Sequence, residues 1–483
     1  SHRVNILHRR RRICKRERGS TATAARQRAA ARCPVLARAA PRRPVPPVRD
    51  RSLVLAGTAT LEVVNPTSEP VMYPVTVRFP GRAIADVRSA VYRALDEAGL
   101  SIGPGARIAM AVGSRGIGFL AEIVGATARW LEDQGAKPFI VPAMGSHGGA
   151  TAEGQAAVLE SYGISEAAIG VPVRSAMDTA SLGVVSAGDI DALVFMDRLA
   201  FESDGVLLIN RVKPHTDFRG FPESGLLKMS VIGLGKHDQA LAVHGHGIRG
   251  LKRLILPAAR HVLQTGAVVG GLAIVENAYE QPMRIEAAAA ERIEAVEREL
   301  LDVAAGSMAR LPVDDIDVLV VDELGKDKSG TGLDTNVIGR IRIFGEAEPD
   351  APRIRSIAAL RLTEASHGNA IGVGLADVIT RELYESIDFQ ATYENGLTSS
   401  FAERIKIPYV AANPDEAFCA ALRCAGLGPV PAEALERARI VRVQSTLELS
   451  RVLVSHAVAE ELRGRRDGMV EVSPESRPLF GSY

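Results

Sequence analysis

The chain has 483 residues, 46% of them hydrophobic, and a net charge of +1 at pH 7, which supplies apolar material for two or more cores and excludes a wholly disordered chain. Residues 1–51 hold 16 Lys and Arg against 2 Asp and Glu, leaving 42 basic and 55 acidic residues for the rest, so the acidic body is ill suited to a broad nucleic-acid face. Four cysteines without a C-x-x-C pair argue against a secreted disulfide framework, and no apolar run approaches the roughly 18 residues of a membrane span; the expected location is cytoplasmic.

Residues 1–71 form a basic leader, rich in Arg, Ala and Pro at its start and without helical or strand period, and are expected to be disordered. Order begins at Met72 with Val-Thr-Val alternation and a helix over 84–98. A strand at 107–112, a glycine-rich turn (Gly113 to Gly118), a helix at 119–134 and a strand at 138–143 make a βαβ unit. The turn GSRGIG is like a dinucleotide loop, but no tyrosine has a lysine four residues on, as short-chain dehydrogenases require. Arg115 reads equally as an anion ligand at a strand's C-terminal end or as part of a tight turn.

The strand at 138–143 delivers GSHGGAT (145–151), with Thr151 as N-cap of a helix at 152–162. His147, flanked by glycines, has few side chains to bury it, which favours a functional role. Strands at 184–186 and 192–196 precede the buried run Val206–Ile209. Beyond it, Asn210–His246 (NRVKPHTDFRGFPESGLLKMSVIGLGKHDQALAVHGH) spends over thirty residues on glycine, histidine and lysine, and holds four of the ten histidines. Imidazoles can bind a transition metal or relay protons, and a lysine amine can attack an electrophile. Lys228 follows Ser-Gly-Leu-Leu, a setting that can raise an amine's nucleophilicity, the alternative being a surface lysine that snorkels to water. His244 and His246 would share a face only on a strand.

A helix at 249–264, a strand at 267–275 and a long helix at 283–304 lead to a boundary near 307–314. The fold class is therefore α/β, with two α/β domains, 72–310 and 311–483, built of strand-loop-helix units around a cleft. The second opens with a strand at 316–321 and a glycine-rich loop, Asp322–Gly332, that carries Lys326 and Lys328. The loop lacks the Lys-Ser/Thr of a P-loop and reads as a site wall or a solvated turn. Strands near 342–344, 355–361, 407–411 and 439–443 and helices near 374–384, 414–425 and 446–464 complete it.

The succession GSHGGAT (145–151), VKPHTDFRG (212–220), SGLLK (224–228) and a histidine at 244 resembles the lactate-racemase superfamily that uses a nickel-pincer nucleotide, in a divergent branch of it. The resemblance spans Met72 to the C-terminus. It implies an isomerase, a racemase or epimerase of a small-molecule 2-hydroxy acid, that depends on separate cofactor-making enzymes. The cofactor is the nickel complex of a pyridinium-3-thioamide-5-thiocarboxylic acid mononucleotide. It implies that Lys228 is the thioamide attachment point, that His244 is the metal ligand with His246 as its understudy, and that His147 and His215 are the catalytic acid/base pair. Arg115 would hold a carboxylate or the cofactor phosphate, with Lys328 or Lys326 as the second domain's cation. An α-hydride would leave to the cofactor and return to the opposite face of a planar 2-keto acid. Gly148 stands where the family has an arginine, and Leu226-Leu227 where it has glycines. The residues taken alone also leave open a zinc hydrolase using His244, His246 and His215 or His147, and a ligand-binding homologue without catalysis.

Overall fold

The first described strand, β1 (Val71–Val77), does not join the strands that follow it in sequence. The computed structural model describes residues 70–113, 116–428, 432–465 and 468–483, within one compact unit, Val64–Tyr483. The expectation of a disordered leader therefore falls almost wholly outside the described residues, as does Arg115.

After β1 come α1 (Val87–Glu97), capped by Asp86, then β2 (Arg107–Val112), α2 (Leu120–Asp133), β3 (Lys137–Pro142) and α3 (Ala152–Ser161). The Thr151 hydroxyl accepts from the Gly154 amide, the capping expected of a threonine just before a helix. The hairpin β4 (Thr179–Ala187) and β5 (Ile190–Asp197) precedes β6 (Gly205–Arg211), α4 (Lys236–His244) and α5 (Gly247–Gln264). Then follow β7 (Val268–Glu276), β8 (Pro282–Ala289) and α6 (Ile293–Ser307). The strands form a five-stranded sheet ordered β3-β2-β6-β7-β8, parallel except for β8. Helices cover both faces, so β2 from Ile108 to Val112 and β6 from Val206 to Ile209 are continuous buried apolar runs rather than alternating.

The C-terminal half supplies β9 (Asp315–Leu324), β10 (Arg353–Leu362), β11 (Val378–Thr380), β12 (Tyr409–Ala411) and α7 (Pro414–Cys424). It ends with β13 (Ile440–Val443), β14 (Arg451–Ser455), α8 (His456–Arg463), β15 (Val470–Val472) and β16 (Arg477–Pro478). Their sheet runs β12-β11-β10-β9-β13-β14-β1-β15, with β16 also on β1. β1 pairs antiparallel with β14, Met72 opposite Ser455, so the chain lays one strand into its second sheet before building the first. The mixed α/β fold, with two large sheets and the separate β4-β5 hairpin, follows the sequence expectation. Each sheet has its own apolar clusters, and Phe401 of the C-terminal half packs into the first sheet's core.

Four elements differ from expectation. The helix expected at 283–304 is β8 followed by α6. Met283 to Ala287 alternates every two residues, and pairing with β7 overrides the helix preference of its alanines. Residues 342–344 form no strand, because the Glu348 carboxylate takes the amides of Ile341 and Arg342. Residues 374–384 divide into a turn, β11 and a short helix, and 446–464 into β14 and α8. In both, a buried apolar run of strand length is taken into the sheet.

Candidate active site

In the first sheet β2 connects onward to β3 on one side and has β6 on the other, so the strand order reverses between β2 and β6. The carboxyl ends of such neighbouring strands leave a crevice. The loop after β2 and Asn210–His246 after β6 both start there. A Cβ on Gly113 would stand 3.0 Å from Met229 Cε and 3.3 Å from Asn210 Oδ1, which shows how closely the two loops meet.

Leu226–Lys228 is a single helical turn that runs into a π-helical turn, Met229–Gly233; such turns are frequent at functional sites. Its start is held by Glu297 of α6, which accepts the Leu227 amide at 2.9 Å. Gly225 makes room for that carboxylate, which lies 2.4–2.7 Å from where a Cβ would be. Burial pushes Glu297 up to about 7, and its Oε1 is buried with no hydrogen-bond partner among the described residues. Asn210 donates to the Gly225 carbonyl at 2.8 Å, tying the turn to the end of β6.

Lys228 Nζ contacts Nε2 of His215. His215 is 8% exposed, its ring stacks on Phe218, and its amide is held by Glu223 at 2.7 Å. The Asp217 amide donates to His215 Nδ1 at 3.0 Å, and Asp217 Oδ2 lies 3.6 Å from the same nitrogen. Asp217 is buried, which raises its pKa, but the charges of His215 and Arg404 outweigh burial and hold it at about 2. Arg404, fully buried and from the C-terminal half, donates to Asp217 Oδ1 at 2.5 Å.

His244 closes α4. Burial, and secondarily the nearby Lys228, lower its pKa to about 4 against a smaller pull from Asp217. Its Nδ1 is buried with no hydrogen-bond partner among the described residues. His246 lies past the helix end and is exposed. The structure thus separates two histidines that sequence alone left nearly equivalent.

His147 lies exposed on the loop between β3 and α3. That loop packs against the π-turn: the Gly145 amide donates to the Gly233 carbonyl at 3.1 Å, and a Cβ on Gly233 would meet the Ala143 carbonyl at 2.6 Å. Gln155 donates to the carbonyls of Gly145 and His147, and fully buried Lys236 donates to Pro142 O and Gln155 Oε1. Lys236 also pairs with Asp197 at 3.0 Å, and burial lowers its pKa. Lys236 is therefore a brace for the His147 loop. Lys213, in the same stretch, pairs with Asp334 at 2.9 Å.

Lys328 lies in the second sheet's glycine-rich loop among Glu448, Glu323 and Asp327, at 3.3, 3.7 and 4.0 Å. Burial depresses its pKa, but those carboxylates outweigh it and raise the group above its ordinary value. Its charge is already matched by protein acids, which weighs against the anion-holding role expected of it. Lys326 is exposed. Asp217, Arg404, Glu223 and Glu297 were not picked out from sequence; only Asp217 carried a signal, an acid two residues after His215. A cavity of about 310 Å³ beside Pro214, Arg219 and Asn336 borders the His215 loop but is lined by none of His215, Lys228 and His244.

These elements define a two-sheet α/β protein with an amine, two imidazoles and a buried carboxylate gathered at a sheet's switch point. Among the described residues no group of three His, Cys, Asp or Glu side chains could hold a metal ion by itself, and no helix is long and apolar enough to cross a membrane. No family model and no curated protein matches the chain. Among solved structures, the lactate racemase apoprotein from Thermoanaerobacterium thermosaccharolyticum is similar at 14% identity and a TM-score of 0.40, over 76% of this chain and 84% of that one. A likeness of that size assigns neither family nor activity.

Proposed function

We propose that the chain is a 2-hydroxy-acid racemase or epimerase that works through a lysine-tethered nickel-pincer nucleotide, at the crevice beyond β2 and β6. Lys228 would carry the group, His244 would be the protein's ligand to nickel, and His215 and His147 would be the acid/base pair. The observation that carries this reading is the gathering of Lys228, His215 and His244, from three points in sequence, around one crevice.

The residues fit the group on two counts. His244 is held neutral at pH 7 and keeps a buried nitrogen without a partner, and the neutral imidazole is the metal-binding form. Lys228 Nζ contacts the His215 ring at the same crevice, and a lysine amine is a group that attacks an electrophile.

When bound, the group supplies an electron-poor carbon that takes and returns the α-hydrogen with its electron pair. The chain's own side chains do the rest. His215 moves the hydroxyl proton of one enantiomer at Nε2, and His147, on the glycine loop after β3, serves the other; two carriers are needed because the enantiomers present their hydroxyls on different sides. Arg115 would hold the substrate carboxylate or the cofactor phosphate, alone rather than with the acid-paired Lys328. The zinc-hydrolase alternative needs a three-ligand set, which the described residues do not assemble.

The test is incubation of cofactor-loaded protein with enantiopure 2-hydroxy acids in D₂O, read by chiral chromatography and mass spectrometry. Hydride return predicts inversion with the α-hydrogen retained. Inversion with deuterium at the α-carbon, or no inversion of any 2-hydroxy acid, would overturn the reading.

A further inference from the structure

We infer that Gln155 is a positioning residue for His147, its side-chain amide turned toward the His147 loop by the buried ammonium of Lys236. The inference rests on the reading of His147 as a proton carrier. His147 stands in residues 145–150, where Gly145, Gly148, Gly149 and Ala150 all take positive φ. The glycines give that segment little conformational preference of its own, and the His147 side chain is exposed. The direction in which His147 leaves the backbone must therefore be set from outside the loop. Gln155, fully buried on α3, supplies the hold. Its Nε2 donates to the Gly145 carbonyl at 2.8 Å and to the carbonyl of His147 itself at 3.3 Å. The loop lies directly on the helix, since a Cβ on Gly148 would come within 2.6 Å of the Gln155 backbone nitrogen.

A side-chain amide carries donors on one end of its fork and an acceptor on the other, so one of its two orientations has to be selected. Lys236 selects it. Its ammonium can only donate, and Nζ lies 3.0 Å from Gln155 Oε1. That oxygen is thereby engaged, and Nε2 is left for the two loop carbonyls, which can only accept. With the amide reversed, Nε2 would face the ammonium and Oε1 would face two carbonyl oxygens, a repulsion at every contact. The same ammonium donates at 2.5 Å to the carbonyl of Pro142, the last residue of β3, and Asp197, 3.0 Å away, balances its charge. Lys236 reaches this place from a backbone φ of 55°, in the left-handed region that a lysine rarely adopts. Such strain persists where the surrounding contacts over-determine it, and it clusters at active sites. The charge of Lys236 thus sets the orientation of Gln155, and Gln155 sets the backbone from which His147 projects.

The experiment uses full-length, cofactor-free protein with ¹⁵N-labelled histidine. The exchange rate of the His147 backbone amide, which donates to the Met144 carbonyl at 3.1 Å, is read in ¹H–¹⁵N spectra, with His147→Gln to assign the signal and His261 of α5 as reference. Gln155→Glu still accepts from Lys236 and fills the same space but has nothing to donate to the two carbonyls, so a role in packing alone would survive it. The His147 rate is expected to rise about tenfold against His261, the weight of one hydrogen bond. Lys236→Met should shift it in the same direction. Gln155→Met, of similar volume and without either polar group, gives the answer where Gln155→Glu fails to fold. In the loaded enzyme, Gln155→Glu is expected to lower kcat about tenfold and leave KM within about twofold, the pattern of a misplaced proton carrier rather than of lost binding. An unchanged His147 rate in a folded Gln155 variant, or an unchanged kcat in a loaded enzyme that racemises, would overturn the inference. The exchange measurement needs neither cofactor nor turnover, so a wild type that inverts no 2-hydroxy acid sinks the racemase reading and leaves the inference to be decided by exchange alone.

Discussion

Asn210–His246 and Asp322–Gly332 are alike in composition and differ in what surrounds their lysines. Each leaves the end of a buried strand and is rich in glycine and lysine. In the second, Lys328 is ringed by three carboxylates that match its charge. In the first, Lys228 contacts the imidazole of His215, and Asp217 beside that ring pairs with Arg404. On the proposed function, the lysine ringed by carboxylates serves as a structural cation and the one beside the imidazole carries the chemistry.

The largest difference between the two loops is expected in cofactor loading. Lys228→Ala should abolish turnover, and Lys328→Ala should leave the rate within about twofold, as measured by chiral chromatography of the product. Loss of activity in Lys328→Ala would break the comparison. Stability should separate the loops next. Arg404→Ala leaves Asp217 buried without its partner, an expected cost of about 3–5 kcal/mol in urea unfolding. Lys328→Ala should cost under about 1 kcal/mol, because Glu448 and Asp327 can rehydrate.

Glu297 gives a pH signature belonging to the first loop alone. Its folded pKa of about 7 lies above the ordinary carboxyl value, so the native state keeps a proton there that the unfolded chain releases. Stability is then fully present below about pH 4 and declines as pH rises to 7 and beyond, by about 3 kcal/mol in all. Glu297→Gln keeps an acceptor for the Leu227 amide and should flatten that decline in a series of melts from pH 5 to 8. Gly225→Ala is the smallest loss expected within the first loop. Its Cβ would stand 2.4 Å from the Glu297 carboxyl carbon and force a shift that costs about 1–3 kcal/mol, read by chemical denaturation.

Much of the first sheet was legible because its strands are unbroken apolar runs bounded by glycine loops. The strand at 107–112 and the Thr151 cap stand where the sequence puts them. The alanine-rich stretch at 282–289 was not legible, since its strand state is imposed by β7, a partner that no local pattern reveals. Within the site, His215, Lys228 and His244 were marked by residue type and loop setting. Arg404 was invisible, because its role depends on a contact across 187 residues of sequence and an arginine among exposed-looking neighbours carries no local signal. The difference in burial between His244 and His246 also lay in the fold: α4 ends at His244, whose Nδ1 is buried, while His246 beyond it is exposed.

The central claim, that Lys228 is the covalent anchor of a nickel-containing group, is tested most directly by the mass of the protein made in cells that also produce cofactor-making enzymes and are supplied with nickel. Peptide mass spectrometry should find the mononucleotide adduct on Lys228 and on no other lysine. The same preparation should hold about one nickel per chain, and His244→Ala should lose the nickel while keeping the adduct. Unmodified Lys228 in a protein free of nickel, or stoichiometric zinc without any adduct, would contradict it.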